Sequence, residues 1–144
     1  MTRRALFISI KPRYAALIFS GAKTVELRRT APRVADGTLM IVYVSSPAKE
    51  VAGICTVSTI EMDSPAKLWP RIRDRAGVTR GEFDDYFAGA RQAVAIHLQE
   101  PKRLGHPVRL ADLRRDFGLQ PPQSFRYVDA ADWAGQSNIF SPVH

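Results

Sequence analysis

Gly21-Ala22-Lys23-Thr24-Val25-Glu26-Leu27-Arg28-Arg29 is the stretch that decides the fold, because it joins a short amphipathic helix to an alternating strand. Gly21 fits the left-handed residue that commonly closes a helix. The alternation then gives the strand a polar face and an apolar face, formed by Thr24, Glu26 and Arg28 and by Val25 and Leu27. We expect the polar face to form the floor of a binding groove. A half-solvated edge strand with an ion pair two residues apart is the structural alternative.

Length and composition predict one globular domain spanning residues 1–144. The chain has 45% hydrophobic and 24% charged residues, which is ordinary for a globular protein. No apolar run approaches the roughly 20 residues that a membrane span needs, and the first residues lead into a strand-like run rather than a signal-peptide core. Cys55 is the only cysteine and lies in an apolar run, so it is expected to be a buried hydrophobe. A cytoplasmic protein with no membrane partner is expected.

The net charge of +7 is concentrated near the amino terminus. Residues 1–33 contain eight lysines and arginines and one acidic residue, whereas the remainder contains thirteen of each sign. A basic face of this kind favours a phosphate-rich partner, such as nucleic acid or a nucleotide. A basic surface that serves only solubility is the alternative.

The order of predicted elements favours an α+β protein built on a small mixed β-barrel with flanking helices. A buried strand over residues 5–10 precedes a helix over 12–20. The alternating strand that begins at Thr24 comes next and is followed by strands over 39–44 and 51–60. Gly53 inside the last of these indicates a bulge or a close backbone approach. One helix followed by three strands with short turns does not fit a doubly wound sheet.

A mainly helical insertion is predicted at about residues 62–91. Its prolines argue against one long helix, and Thr79-Arg80-Gly81-Glu82 matches a capping box. An apolar stripe of Phe83, Tyr86 and Phe87 is expected to follow the cap. Beyond the insertion we predict a strand over 92–98, a short helix closed by Gly118, a strand after Pro122 and a helical turn capped by Asp129.

Several common classes of site have no signature in this sequence. The histidines at positions 97, 106 and 144 are scattered, no glycine-rich phosphate loop is present, and the surroundings of Ser124 lack the glycines of a nucleophile elbow. We therefore expect no metal site and no cofactor. Dependence of any activity on a divalent metal stays open.

Four segments of the chain form a recognisable set: Ser9-Ile10-Lys11-Pro12, Ile18 to Arg28 with its Gly-x-Lys-Thr-x-Glu-x-Arg core, Tyr43 to Lys49 with Gly53, and Pro122-Gln123-Ser124-Phe125-Arg126-Tyr127. Together they resemble the ASCH domain, a family within the PUA-like group of small β-barrels. The resemblance extends from about Leu6 to Val128 and is weakest over residues 62–91. It implies a barrel with a cleft between strands and flanking helices, and RNA or a modified nucleoside as the ligand.

The resemblance also implies two kinds of chemistry. Some ASCH proteins are similar to amidohydrolases acting on N4-acetylcytidine, in which a lysine, a threonine and a downstream glutamate act. Lys23 and Thr24 match the first two, but the expected glutamate is missing and Glu82 is better explained as a helix cap. Other members resemble ribonucleases acting on single-stranded RNA, and the set Tyr43, Lys49 and Ser124 fits that branch better.

The chemistry of RNA cleavage gives these residues their expected roles. The 2′-hydroxyl must be activated, the phosphorane charge stabilised and the 5′-oxygen protonated. The candidate catalytic residues are Lys23, Tyr43, Lys49 and Ser124. The candidate RNA-binding residues are Lys11, Thr24, Glu26, Arg28, Ser45, Phe125 and Arg126, which combine cations with an aromatic ring. A core tyrosine, a solvated lysine and a turn serine are the alternatives, and the hypothesis requires these side chains to converge at one mouth of the barrel.

The sequence thus predicts single-stranded RNA binding in a basic cleft, with possible endoribonuclease activity. A non-catalytic module that recognises RNA or a modified nucleotide is the first alternative, and an amidohydrolase acting on N4-acetylcytidine-like nucleosides is the second. A carboxylate beside Lys23 and Thr24 in a nucleoside-sized pocket would favour the amidohydrolase. An open groove bordered by Tyr43, Lys49 and Ser124 would favour RNA.

Overall fold

A computed structural model describes residues 3–134 of the chain. The elements in order are β1 (Arg4–Ile10), α1 (Pro12–Ser20), β2 (Val25–Arg28), β3 (Thr38–Val44), β4 (Glu50–Asp63), α2 (Pro65–Ile72), α3 (Arg80–Tyr86), β5 (Ala93–Arg109), α4 (Leu110–Phe117), β6 (Phe125–Asp129) and α5 (Ala130–Ala134). The protein is therefore of the α+β class, as the sequence predicts.

The six strands form one mixed sheet in the order β2-β5-β4-β3-β1-β6. β1 and β3 are parallel and the other neighbours are antiparallel. The predicted closed barrel is not confirmed, because within residues 3–134 no strand pairing joins β2 to β6. Arg28 at the end of β2 nevertheless reaches across to Ser124, the residue before β6, through its guanidinium group. The two edges of the sheet thus approach each other at this end.

Alternation along the strands gives each face of the sheet its own core. Leu6, Ile8 and Val42 pack with Ile18 of α1 on one face. On the other face Phe7, Ile41 and Tyr43 pack with residues of α4 and α5. A third cluster forms where Leu68, Ile72 and Phe83 of α2 and α3 cover β2 and the start of β5. The polar cleft described below lies where the first and third clusters meet.

Local signals at α1 and α3 behave as predicted. Gly21 adopts φ +87° and closes α1, and Thr79 and Glu82 form both hydrogen bonds of the capping box. A Cβ atom on Gly53 would lie 2.4 Å from the carbonyl oxygen of Lys102 and from the Phe19 ring, which confirms the close backbone approach. Asp129 accepts a hydrogen bond from the backbone of Ala131 at the start of α5.

Other local predictions are confirmed only in part. Residues 62–91 contain two separate helices and not one long one, as predicted, although Pro70 lies inside α2, where a short helix loses only one backbone bond. Tyr86 is 42% exposed and lies at the margin of the apolar stripe, with its ring edge to face on Phe87 at a centroid distance of 4.8 Å. β5 continues to Arg109, well beyond the predicted end at residue 98. Since β2 pairs only with residues 94–97 of β5, the later part has a free edge that tolerates its prolines.

Cys55 is 1% exposed, and burial raises the pKa of its thiol to about 12, so it remains a protonated core residue. None of the helices within residues 3–134 combines the length and the apolarity required to cross a bilayer.

Candidate nucleic-acid interface

A cleft of about 360 Å³ opens at the carboxyl end of β1, between the start of α1, strand β2 and helix α3. Five of the predicted site residues line it: Lys11, Lys23, Glu26, Arg28 and Ser45. Lys11 precedes α1 and Ser45 follows β3, so two adjacent parallel strands place both residues at the same end of the sheet. The cleft is therefore built around the polar face of β2, which carries Glu26 and Arg28.

Lys23 is buried at the back of this cleft, with only 1% of its side chain exposed. Its ammonium group donates a hydrogen bond to the carbonyl oxygen of Ala76, and its Nζ lies 3.6 Å from Oε1 of Glu26. The Tyr14 ring centroid lies 5.2 Å from the same Nζ. Burial lowers the pKa of Lys23, and the nearby carboxylate of Glu26 opposes this shift. Lys23 is thus a desolvated cation held next to a carboxylate.

Glu26 and Arg28 form a second, largely buried ion pair in front of Lys23. Nη2 of Arg28 lies 3.2 Å from Oε2 of Glu26 and 2.8 Å from the carbonyl oxygen of Ser9. Nη1 donates to Oγ of Ser124 over 3.0 Å. The side chains of Glu26 and Arg28 are only 8% and 13% exposed, so the half-solvated edge-strand alternative is wrong.

Tyr43, Ser9 and Ser124 occupy one row across three adjacent strands. Ser9 of β1 is the register partner of Tyr43 in β3. On its other side the Ser9 amide donates to the carbonyl oxygen of Ser124 over 3.0 Å, which extends the β1–β6 pairing by one residue. Residues that lie directly across neighbouring strands share a face of the sheet, and two strand spacings amount to about 10 Å. Ser9 also lines the cleft, whereas Tyr43 and Ser124 do not, and the Tyr43 ring packs on the α4 side of the sheet.

The Tyr43 ring itself is part of the core. It is 4% exposed and meets the ring of Phe7 edge to face at a centroid distance of 6.4 Å. Burial raises the pKa of its phenol, which is therefore protonated at neutral pH. A protonated phenol can donate a hydrogen bond or a proton but is a poor base.

Lys49 lies in the turn between β3 and β4, at the same end of the sheet. It is exposed and has φ +52°, a left-handed conformation that costs a residue with a side chain roughly 1 kcal/mol or more. Its carbonyl oxygen accepts a hydrogen bond of 3.1 Å from the backbone of Leu110 at the start of α4. Val51, the register partner of Tyr43, follows two residues later.

Three predicted binding residues lie elsewhere. Thr24 does not line the cleft, and its amide donates to the carbonyl oxygen of Arg75. Phe125 packs partly buried against the core cluster on the α1 face. Arg126 is exposed and lines a separate groove beside α4, together with Asp116 and Asp129.

Five lining residues with polar side-chain groups were not among the predicted site residues: Ser9, Tyr14, Glu82, Tyr86 and Gln123. Glu82 forms the helix cap as predicted, but it also accepts a 3.2 Å hydrogen bond from the Tyr14 hydroxyl and pairs with Arg13. Those contacts hold the pKa of Glu82 down at about 2, with the amide of Thr79 as the largest cause. The helical position of Tyr14 beside two cations was the available signal, although its spacing also fits a core residue.

Within the described part of the chain, no group of three or more histidine, cysteine, aspartate or glutamate side chains could hold a metal ion. His97 does lie beside a carboxylate, with Nε2 3.0 Å from Oε1 of Glu61, but Arg71 also binds that carboxylate. This cluster is therefore an ion-pair network.

Known proteins resemble this chain in both sequence and structure. The family model described as "Domain of unknown function (DUF365)" matches residues 5–114. An "ASCH domain-containing ribonuclease" from Zymomonas mobilis is 34% identical over 128 residues, which cover 88% of this chain and 85% of that protein. The crystal structure of ASCH from Zymomonas mobilis has a TM-score of 0.89 at 30% identity, over 97% of this chain and 98% of the other. The N-terminal domain of Staphylothermus marinus McrB shares the fold alone, with a TM-score of 0.57 at 15% identity and coverage of 90% and 91%.

The mixed sheet with a polar cleft at one end defines a small α+β domain. More particularly, the chain belongs to the ASCH domain family, as its similarity to the Zymomonas mobilis protein over most of both chains shows. Two further crystal structures of that protein carry a tyrosine-to-phenylalanine and a serine-to-alanine substitution. The number of residues between those two positions is the same as the number between Tyr43 and Ser124 of this chain.

Proposed function

We propose that this ASCH domain binds single-stranded RNA in the cationic cleft and cleaves it beside the row Tyr43–Ser9–Ser124. The observation that carries the proposal is the position of this row: Ser9 lines the cleft together with Lys11, Lys23 and Arg28, and Arg28 donates a hydrogen bond to Ser124. The matching separation of the substituted tyrosine and serine in a protein named as a ribonuclease supports the same assignment.

RNA binding is supported by the kinds of side chain that line the cleft. Lys11 is exposed, and it stands at the rim in front of the buried ion pairs. Tyr14 and Tyr86 contribute aromatic rings to the same cleft. Cations that neutralise phosphates and rings on which bases stack are the usual means of holding single-stranded RNA.

Ser124 has a defined hydrogen-bond role in this proposal. Because Nη1 of Arg28 donates to the Ser124 oxygen, that oxygen acts as an acceptor and its own hydrogen is left to be donated. Ser124 is exposed, so this hydrogen can be directed at a phosphate oxygen of bound RNA. Arg28, held by Glu26 and by the Ser9 carbonyl, fixes the position of the hydroxyl.

The proposed reaction is transesterification within the RNA. The 2′-hydroxyl gives up its proton to solvent and its oxygen attacks the adjacent phosphorus, the bond from phosphorus to the 5′-oxygen breaks, and the products are a 2′,3′-cyclic phosphate and a 5′-hydroxyl. Tyr43 is protonated and is the proposed donor of the proton to the leaving oxygen. Lys49 supplies an exposed positive charge for the phosphorane oxygens.

The test uses end-labelled single-stranded RNA with purified protein, with and without divalent metal. Cleavage that is lost in Ser124→Ala and in Lys49→Ala, with normal folding of both variants, is the expected result. Binding without cleavage under all conditions would instead make the domain a recognition module. Arg91→Ala serves as the matched control, because Arg91 is exposed near the far end of β5.

A second candidate is hydrolysis of an acylated nucleoside such as N4-acetylcytidine. The observation that favours it is the carboxylate of Glu26 at 3.6 Å from Lys23 in a cleft of about 360 Å³, a volume that suits one nucleoside. Release of acetate from acetylcytidine by the wild type, but not by Lys23→Met, would support this reaction. If the wild type released no acetate at a saturating concentration of acetylcytidine, the hydrolase proposal would be wrong.

A further inference from the structure

A stacked pair of Arg103 and Phe19 lies outside the cleft. The guanidinium carbon of Arg103 in β5 is 4.9 Å from the ring centroid of Phe19, near the end of α1. Arg103 is exposed and Phe19 is half-buried. An arginine plane and an aromatic ring are the two surfaces on which bases of single-stranded nucleic acids stack.

Gly53 makes this arrangement possible. The Phe19 ring lies directly on the backbone of β4, since a Cβ atom on Gly53 would come within 2.4 Å of the ring. Arg103 is the register partner of Gly53 in the neighbouring strand. The ring is therefore fixed from below by the sheet and is covered from the side by the arginine.

Along β4 the pair lies near the level of Tyr43, although Phe19 packs with the cluster on the α1 face of the sheet and Tyr43 with the cluster on the other face. Val51 is the register partner of Tyr43, and Gly53 is two residues further along β4, which corresponds to a rise of about 7 Å. Arg109, at the end of β5, is the register partner of Glu50. Lys49 and Arg109 thus connect the cleft end of the sheet with the Arg103–Phe19 pair.

The cations along this path carry unneutralised charge. Within the described residues, Lys49, Lys102, Arg103 and Arg109 make no ion pair with a carboxylate, although Glu50 and Glu100 are near in the chain. Arg80 provides the contrast, since it lies over Trp69 in a similar way but pairs with Asp84. A free guanidinium group stacked on a ring is available to a phosphate and to a base.

We propose that the Arg103–Phe19 pair is a second nucleotide-binding subsite, which holds single-stranded RNA one or more nucleotides away from the scissile bond. This inference rests on the proposed function and extends it, because it makes the substrate an RNA strand that crosses β4 and β5. A base stacks on the exposed face of Arg103, and its phosphate lies toward Arg109 and Lys49. The enzyme then prefers RNA long enough to reach both sites.

The experiment measures binding of a 2′-O-methylated strand of about twelve nucleotides and of a dinucleotide, by fluorescence anisotropy at several salt concentrations. The methyl groups remove the attacking hydroxyl, so that binding is measured without cleavage. The variants are Arg103→Ala, Arg103→Lys and Phe19→Leu, and the control is Arg91→Ala. The Arg91→Ala substitution removes the same charge from an exposed position just before the opposite end of β5.

Arg103→Ala is expected to weaken binding of the long strand roughly tenfold and to reduce its salt slope by about 0.7, with dinucleotide binding unchanged. Arg103→Lys should restore the salt slope but only part of the affinity, because the lysine keeps the charge and loses the plane. Phe19→Leu should weaken the long strand and leave the salt slope unchanged.

Equal effects of Arg103→Ala and Arg91→Ala would overturn the subsite, and so would equal losses for the long and the short ligand. The chemistry is judged separately by cleavage of unmodified RNA. Length-dependent binding that requires Arg103, without any cleavage, would support the subsite and refute the proposed ribonuclease reaction. Absence of RNA binding by the wild type would overturn both.

Discussion

Tyr43 and Ser124 lie in the same row of the sheet, one on each side of Ser9, although most of the chain separates them in sequence. The row joins a buried phenol to an exposed hydroxyl across about 10 Å. A phosphate placed over Ser9 would lie between them. This relationship depends on β1, which lies between β3 and β6 and pairs with both of them.

Removal of the Tyr43 hydroxyl tests the donor role directly. We expect Tyr43→Phe to lower the rate of RNA cleavage by about a hundredfold or more, since general acids contribute at least this much. RNA affinity and the melting temperature should change little, because the ring and its contact with Phe7 remain. Cleavage kinetics and thermal unfolding measure the two effects.

Tyr127→Phe is the matched control for that substitution. The Tyr127 hydroxyl accepts a 2.8 Å hydrogen bond from the Arg33 amide, so its loss should cost about 1 kcal/mol of stability and leave cleavage intact. A Tyr43→Phe enzyme that cleaves at the normal rate would contradict the proposed acid.

Because Lys49 has a left-handed backbone conformation, two substitutions can distinguish the role of its charge in cleavage from the effect of its backbone on stability. Lys49→Gly and Lys49→Ala both remove the ammonium group, and both should abolish cleavage. The glycine variant should be the more stable by up to about 1 kcal/mol, because φ +52° suits glycine. Glu100, with φ +53°, offers the same comparison outside the proposed site. Chemical denaturation measures the order of stability, and cleavage retained in Lys49→Gly would exclude Lys49 from the reaction.

The parts of this protein that are encoded locally could be predicted from the sequence. Gly21 closes α1 and Thr79 caps α3 because each depends on residues within one turn. The position of Lys23 beside Glu26 also follows from neighbouring positions in the chain. Its near-complete burial does not, since the carbonyl of Ala76 and helix α3 come from the insertion that resembled the family least.

Long-range register accounts for most of what sequence reasoning missed. The row Tyr43–Ser9–Ser124 depends on strand pairings between distant segments, which no local period reveals. Residues 99–109 contain prolines and few buried side chains, so that their strand character comes only from pairing with β4. Arg103 therefore gave no signal as part of a binding surface until β5 was placed beside Gly53.

Glu82 should make the free energy of unfolding depend on pH in the acidic range. Its pKa is about 2 in the folded protein, against 4.5 for an ordinary glutamate. Its contribution is therefore complete above pH 4.5 and is lost as the pH falls from 4.5 through about 2. Glu82→Gln retains an acceptor for the capping box but not the charge. We expect denaturant unfolding of this variant to show a shallower loss of stability over that range.

Asp84→Asn is the control for the acid series, because it removes a carboxylate from the same helix without touching the cap. Its stability should fall with acid about as steeply as that of the wild type. A Glu82→Gln protein with the full wild-type slope would show that the cap and its contact with Arg13 do not hold the carboxylate ionised.

Lys23 should make stability rise with pH as well, but in the alkaline range and because the cation is buried. Burial lowers its pKa below the ordinary 10.5, so the unfolded chain binds this proton more tightly than the folded protein does. Stability therefore rises with pH between the lowered folded pKa and 10.5. In Lys23→Met this rise should disappear. Stability at neutral pH should change by no more than about 1 kcal/mol, because Glu26 keeps Arg28 as its partner while the Ala76 carbonyl loses a donor.

RNA binding distinguishes a functional Lys23 from a structural one. Lys23→Met should weaken binding more than Lys67→Ala, since Lys67 is an exposed residue of α2 and does not line the cleft. Guanidinium titrations at several alkaline pH values and anisotropy with single-stranded RNA measure the two properties on the same preparations. A variant that loses the alkaline rise but binds RNA as the wild type does would make Lys23 a buried cation of the core. A variant that keeps the rise would mean that another group causes it.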